Sequence, residues 1–102
     1  MIVVTSCIRV VGGDADALAL QYRNRVGLVD ALPGCLGVEI LRHVDRPEEF
    51  VVLTRWTDDD AYTAYRAHPA FRQAHRAIAR LPGLRIDPAS LNATKCSCEP
   101  PR

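Results

Sequence analysis

An α+β domain, with helices covering one face of an antiparallel sheet, is the fold class that this sequence predicts. Three observations carry the prediction. Stretches rich in β-branched residues, at 2 to 11, 38 to 42 and 50 to 56, read as strands. Between and after them, apolar residues recur at helical spacing. Gly12-Gly13, Pro33-Gly34, Asp45-Arg46-Pro47 and Leu81-Pro82-Gly83 mark the junctions with turn chemistry. The resulting order, β-α-β-β-α-β, is the split βαβ arrangement of ferredoxin-like domains.

Each element has its own reason. Residues 2 to 11 hold Ile and Val in an extended run that ends at the two glycines. Asp14 is placed to cap a helix, along which Leu18, Tyr22, Val26 and Val29 repeat as far as about residue 31. Pro33-Gly34 stops it. Val38 and Ile40 belong to a second strand that ends at Arg42, and Phe50 to Trp56 returns antiparallel to it. Thr57 followed three residues later by Asp60 predicts a capping box, with Asp58 and Asp59 favourable near the positive helix end. Pro69 divides the helical stretch after Trp56 into a short helix at 58 to 67 and another at 69 to 79. The last strand is expected at 91 to 97, inside a single domain of residues 1 to 98, with 99 to 102 a frayed tail.

Composition removes several function classes. The chain has 102 residues, 48% hydrophobic and 25% charged, with a net charge of +1. That balance gives no electrostatic reason to bind nucleic acid or an anionic membrane. No apolar run approaches the ~20 residues needed to cross a bilayer. MIVVTSCIRVV has neither a basic leader nor a small-residue cleavage site, so a cytoplasmic protein is expected.

The four cysteines, Cys7, Cys35, Cys96 and Cys98, lack the paired CxxC spacing of a zinc knuckle. Without a secretion signal they are not expected to form a disulfide framework. Cys7 and Cys35 read as small core or strand residues. Cys96 and Cys98 share one face of an extended strand and could hold a metal or act in redox chemistry, although an isolated CxC is a weak signal.

The stretch from Phe50 to His75 carries the chemistry. An apolar strand ending in Trp56 hands over to helices that bear Tyr62, Tyr65, Phe71, His68 and His75. Such a junction sets a large ring, phenols, imidazoles and guanidinium groups around one apolar space. Plain readings stand beside this one. Trp56, Tyr62 and Tyr65 also suit a core, and His75 with Arg76 also suits a solvent-facing helix pair. His43 and His68 read as surface or capping residues, and Asp58-Asp59-Asp60 as a cap instead of a metal cluster. Arg72, Arg76 and Arg80, four residues apart, read as a solvated basic stripe.

FVVLTRWTDDDAYTAYRAHPAFRQAH (Phe50 to His75), together with PGCLGVEILR (Pro33 to Arg42), resembles the antibiotic biosynthesis monooxygenase family over roughly residues 1 to 95. This family of dimeric α+β barrels includes anthrone monooxygenases and Isd-type haem-degrading oxygenases. The resemblance implies a homodimer whose two sheets pack face to face. Counted from Trp56, Tyr62 and Arg76 fall where the anthrone monooxygenases place a functional Tyr and Arg. Those enzymes oxidise aromatic, polyketide-type phenols with O2 and no cofactor.

On that reading Arg76 stabilises a substrate anion, Tyr62 donates a hydrogen bond, Trp56 walls the pocket and His75 takes the proton. Tyr65, Cys7, Phe71 and Val52 are the expected pocket residues. The family's Asn, four residues before the Trp, is Val52 here. His75, in AFRQAH, equally matches the proximal ligand of the Isd-type group, which implies haem as the alternative cofactor. Their first-strand Asn aligns with Ser6 or Cys7, and their porphyrin-ruffling Trp is Tyr65. A site lacking both groups could still bind haem, while macrocycle cleavage would lose its usual support. A non-catalytic dimer that shelters a ligand is the third reading.

Overall fold

The structure, a computed structural model, describes residues 1–29 and 31–97; for residues 25–28 and 92 it describes the backbone only. The chain runs β1 (Ile2–Gly12), α1 (Ala15–Val29), β2 (Cys35–Arg42), β3 (Glu49–Trp56), α2 (Asp59–Ala67), α3 (Pro69–Ala79), β4 (Arg85–Ile86), a 3-10 turn (Pro88–Ser90) and β5 (Asn92–Ser97). The expected α+β class and its ferredoxin-like order are present. Strands follow the order β2-β3-β1, and beyond β1 its two halves pair with different strands. The first half meets β5, from Ile2 opposite Ser97 to Cys7 opposite Asn92. Its far end meets the two-residue β4 at Val10 and Gly12. All pairings are antiparallel.

Strand alternation divides the sheet into two unlike faces. On β1 and β3, the even-numbered residues Val4, Val10, Phe50, Thr54 and Trp56 are buried. They pack beneath α1, α2 and α3 in two groups. One centres on Val4, Val29, Trp56, Tyr62 and Tyr65, the other on Val10, Leu18, Tyr22, Phe50 and Ile78. The opposite face carries Thr5, Cys7, Leu53 and Val51, with Leu41 47% exposed. Arg55 and Glu39 pair there at 2.9 Å.

Local chemistry sets the helix ends that position the site. Asp14 accepts the Asp16 N–H at 2.9 Å, as expected of a cap. The predicted capping box does not form: the N-cap of α2 is Asp58, whose carboxylate accepts the Ala61 N–H at 2.8 Å. Asp58 wins because its short side chain reaches the third N–H from an extended backbone. His68 sits between α2 and α3 with ψ 141, the extended conformation that a following proline demands. Its Nδ1 accepts the Ala70 N–H at 3.0 Å, so this residue caps α3 as its sequence position suggests. His43 likewise serves its hairpin, accepting the Asp45 and Arg46 N–H groups at 3.1 Å.

Gly34 brings β2 against α2. Its φ of +80 needs glycine, and a Cβ there would lie 2.5 Å from that of Ala61. The helix α1 ends at Val29, two residues before the expected 31, and β4 and the 3-10 turn are additions to the predicted order. Val26 is helical, but its side chain, like Cys98 and the tail 99–102, lies outside the described residues and atoms. Among the described residues, no helix is long and apolar enough to cross a membrane.

Candidate functional site

Between the helix-covered face of the sheet and the pair α2–α3 lies a half-open cavity of about 520 Å³, within the usual range of small-molecule sites. Both core groups contribute to it. Val4, Thr54, Tyr62 and Tyr65 come from one side, Tyr22 and Ile78 from the other. Ser6 and Ile8 of β1 and Val52 of β3 reach it because their positions share parity with the buried residues of those strands. On α2, Tyr62, Tyr65 and Arg66 line it; on α3, Phe71, His75, Ile78 and Ala79 do. Both sets have the spacing of one helical face.

Aromatic contacts run from the core to the rim. The Trp56 indole, with 0% exposure, stacks on Tyr65 at 5.1 Å between ring centres and lies 5.9 Å from Tyr62. Tyr65 meets Phe71 edge-on at 5.2 Å, and Phe71 lies 4.3 Å from the imidazole of His75. Such pairs hold ring orientations beyond what area burial alone would do.

The state of His75 is set by one contact. Its Nδ1 lies 2.7 Å from the Phe71 carbonyl oxygen. A carbonyl only accepts, so Nδ1 carries a proton, and in the neutral ring the lone pair is on Nε2. A histidine held this way is suited to accept a proton or to ligate a metal ion through Nε2.

The expected site residues therefore divide. Tyr62, Tyr65, Phe71, Val52 and His75 come together around one cavity. Trp56 stands behind the tyrosines instead of lining it, its Nε1 donating to Thr54 Oγ1 at 2.8 Å. Arg76 is exposed and absent from the lining. It lies about 100° around the helix from His75, on the side away from the lining. It joins Arg72 and Arg80 on the exposed stripe instead. Cys7 borders the cavity, but its odd position carries the thiol toward the open face, where the residue is exposed. It is a strand residue and not a core one.

Several contributors escaped the sequence reading, among them Arg66, Thr54, Leu84 and Ile86. Arg66 could have been found, because it lies four residues after Tyr62 on the same helix face. Thr54 is two residues before Trp56 on the same strand face. Leu84 and Ile86 arrive with the short β4, for which a two-residue strand leaves no periodic signal.

The open face holds another hollow, of about 590 Å³, around Cys7, Arg9, Leu41, Arg42 and Asp87. Phe50 lines it, but no tyrosine does. Arg9 and Asp87 form an ion pair there. The hydrogen bond from Arg9, helped by the Ala89 N–H, holds the Asp87 carboxyl below its usual range, and Asp87 in turn raises Arg9. Among the described residues no group of three or more His, Cys, Asp or Glu side chains is arranged to hold a metal ion.

Comparisons with known proteins agree with this architecture. A heme-degrading monooxygenase of Bacillus thuringiensis subsp. konkukian is 30% identical over 89 residues, spanning 85% of this chain and 82% of that protein. A heme-degrading monooxygenase of Bacillus anthracis matches to the same extent. Among solved structures, an antibiotic biosynthesis monooxygenase candidate from Deinococcus radiodurans superposes with a TM-score of 0.81 at 17% identity, covering 100% of this chain and 96% of that one. SnoaB of Streptomyces nogalater, a cofactor-independent oxygenase, gives 0.77 at 17% identity, with 98% and 94% covered. Membership of their family supports monooxygenase activity. The pattern that defines that family matches residues 1–77, and the chain belongs to the antibiotic biosynthesis monooxygenase family.

Proposed function

We propose that this chain is a haem-binding monooxygenase, with His75 as the axial ligand. The observation that carries the reading is the His75 Nδ1–H donated to Phe71 O, which in the neutral ring reserves Nε2 for a ligand at an aromatic-lined cavity. Backbone anchoring of the second ring nitrogen is the usual support for a metal-binding histidine. The donor set fits: a single imidazole, an apolar wall and a half-open mouth. The 30% identity to heme-degrading monooxygenases supports the same reading.

When bound, haem would supply the O2-activating iron. The chain's own groups do the rest. His75, packed on Phe71, would hold the iron. Tyr62 and Tyr65, both buried, bring phenol groups to the wall, where a hydroxyl can donate to a ligand oxygen. Val4, Val52 and Ile78 keep water from that wall. Ser6 takes the place that the Isd-type group gives to Asn, since strand parity turns Cys7 away. Tyr65 stands for their ruffling Trp. Haem retention with little macrocycle cleavage is the expected consequence.

Spacing in the sequence favours cofactor-free oxidation of an aromatic, polyketide-type phenol. The exposed position of Arg76 takes away its anion stabiliser, although Arg66 at the rim supplies another guanidinium and keeps this second reading alive. We further infer a homodimer, formed through the open sheet face with its exposed Leu41. A non-catalytic sheltering role would show as saturable ligand binding without O2 uptake.

Titration with haemin tests the first reading, with His75→Ala in parallel. A saturable Soret band at one haem per subunit, lost in the variant, is expected. Absence of the band, or an equal band in His75→Ala, overturns the proposal. Phenol-dependent O2 consumption by the haem-free protein would then favour the second reading.

A further inference from the structure

Among the residues that line the α2–α3 cavity, Arg66 is the one permanent cation, and no Asp or Glu stands with it. It is exposed while lining the cavity, which places it at the solvent edge. Its guanidinium carbon lies 5.8 Å from the centre of the Phe71 ring, and Phe71 in turn packs against His75. Among the described residues, none of the ion pairs involves Arg66, whereas Arg9, Arg42, Arg46 and Arg55 each have a carboxylate partner. The guanidinium is therefore held by an aromatic face beside the cavity, with its N–H fork unspent. Beneath it the wall is apolar and aromatic.

We propose that Arg66 is the anion-recognising group of this cavity, pairing with a carboxylate on an otherwise apolar, aromatic ligand. The inference rests on the reading of the α2–α3 cavity as the ligand site, and it deepens that reading by naming the ligand's second feature. A planar fork matches a carboxylate with two parallel hydrogen bonds, which a lysine cannot reproduce. Packing on Phe71 lowers the freedom the guanidinium must lose on pairing. The ring body of the ligand would lie against Tyr62, Tyr65 and Phe71, with the carboxylate at the mouth.

Two matched pairs of probes test this. Protoporphyrin IX, which has carboxylates and no iron, is compared with its dimethyl ester. Anilinonaphthalene sulfonate is compared with the neutral N-phenyl-1-naphthylamine. Each is titrated into wild type, Arg66→Gln, Arg66→Lys and, as a control on the exposed stripe, Arg72→Gln. Wild type is expected to prefer the anion of each pair. Arg66→Gln should weaken the anions by about 3- to 10-fold and leave the neutral probes unchanged. Arg66→Lys should restore part of that loss, and Arg72→Gln none of the effect. Added salt should narrow the anion preference in wild type and Arg72→Gln but not in Arg66→Gln.

Equal weakening of both members of a pair by Arg66→Gln, or no anion preference in wild type, overturns the proposal. So does failure of both anions to bind. If haemin and the porphyrins fail while the naphthyl sulfonate still depends on Arg66, the haem reading falls and the role of Arg66 stands.

Discussion

Replacing Trp56 by Phe removes an indole N–H that donates to Thr54 Oγ1 at 2.8 Å, where Trp56 is 0% and Thr54 7% exposed. Two costs result. The Thr54 hydroxyl loses its donor in a buried place, worth about 1–3 kcal/mol. The smaller ring leaves a void beside Val4, Val29 and Tyr65, worth roughly 1–2 kcal/mol more. The expected total is about 2–5 kcal/mol. Thr54→Val alone strands the indole N–H and should cost about 1–2 kcal/mol. The double variant removes both polar groups, so it should fall short of the sum of the singles by about 1 kcal/mol.

Urea unfolding followed by far-ultraviolet circular dichroism, at one protein concentration, measures all four proteins. Haemin affinity of Trp56→Phe should stay near wild type, because the indole supports the cavity wall from behind. A stability loss below about 0.5 kcal/mol, or strict additivity of the pair, would refute the hydrogen-bond argument. Unchanged stability with lost ligand binding would return Trp56 to the cavity itself.

The cap of α2 and the ion pair on the open face yield two more outcomes. Asp58→Ala should destabilise by about 1 kcal/mol through loss of the Ala61 N–H acceptor, while Asp60→Ala stays near zero; the reverse result in urea unfolding would restore the capping box. The Asp87 carboxyl titrates below its usual value when folded, so its contribution is present above the unfolded pKa of about 4 and is lost as pH falls through the lower folded value. Thermal melts of wild type and Asp87→Asn should therefore differ at neutral pH and converge on the acid side of that window. A difference that stays constant with pH would contradict the pairing with Arg9.

Most of the fold is legible because its signals are local. β-branched runs mark β1 and β3, Pro69 separates α2 from α3, and turn residues end each element. The cavity is legible only in part. Tyr62, Tyr65, Phe71 and His75 converge because 3.6-residue spacing puts them on one side of their helices. Choosing between Arg66 and Arg76 needs the rotation of each helix about its axis, and that is set by packing against the sheet. Counting from Trp56 compares positions in a family but cannot report which way a neighbour points. The same limit hides Trp56 behind its tyrosines and turns Cys7 outward. Strand β4 is short enough that only its pairing with Val10 and Gly12 defines it.

The central place of β1 has a consequence for how the protein comes into being. Its pairing partners lie at Glu49–Trp56 and again at Asn92–Ser97, so β1 must wait for β5, which follows it by some eighty residues. The cavity wall includes both Val4 and Ala93. During synthesis, a nascent chain that has reached α3 already holds His75 and the aromatic residues, yet lacks the wall that encloses them. Long-range closure of this kind is slow relative to helix formation. A ligand held in this cavity would thus be captured only after β5 has paired, and would act as a clasp between β1 and β5 that slows the release of β5.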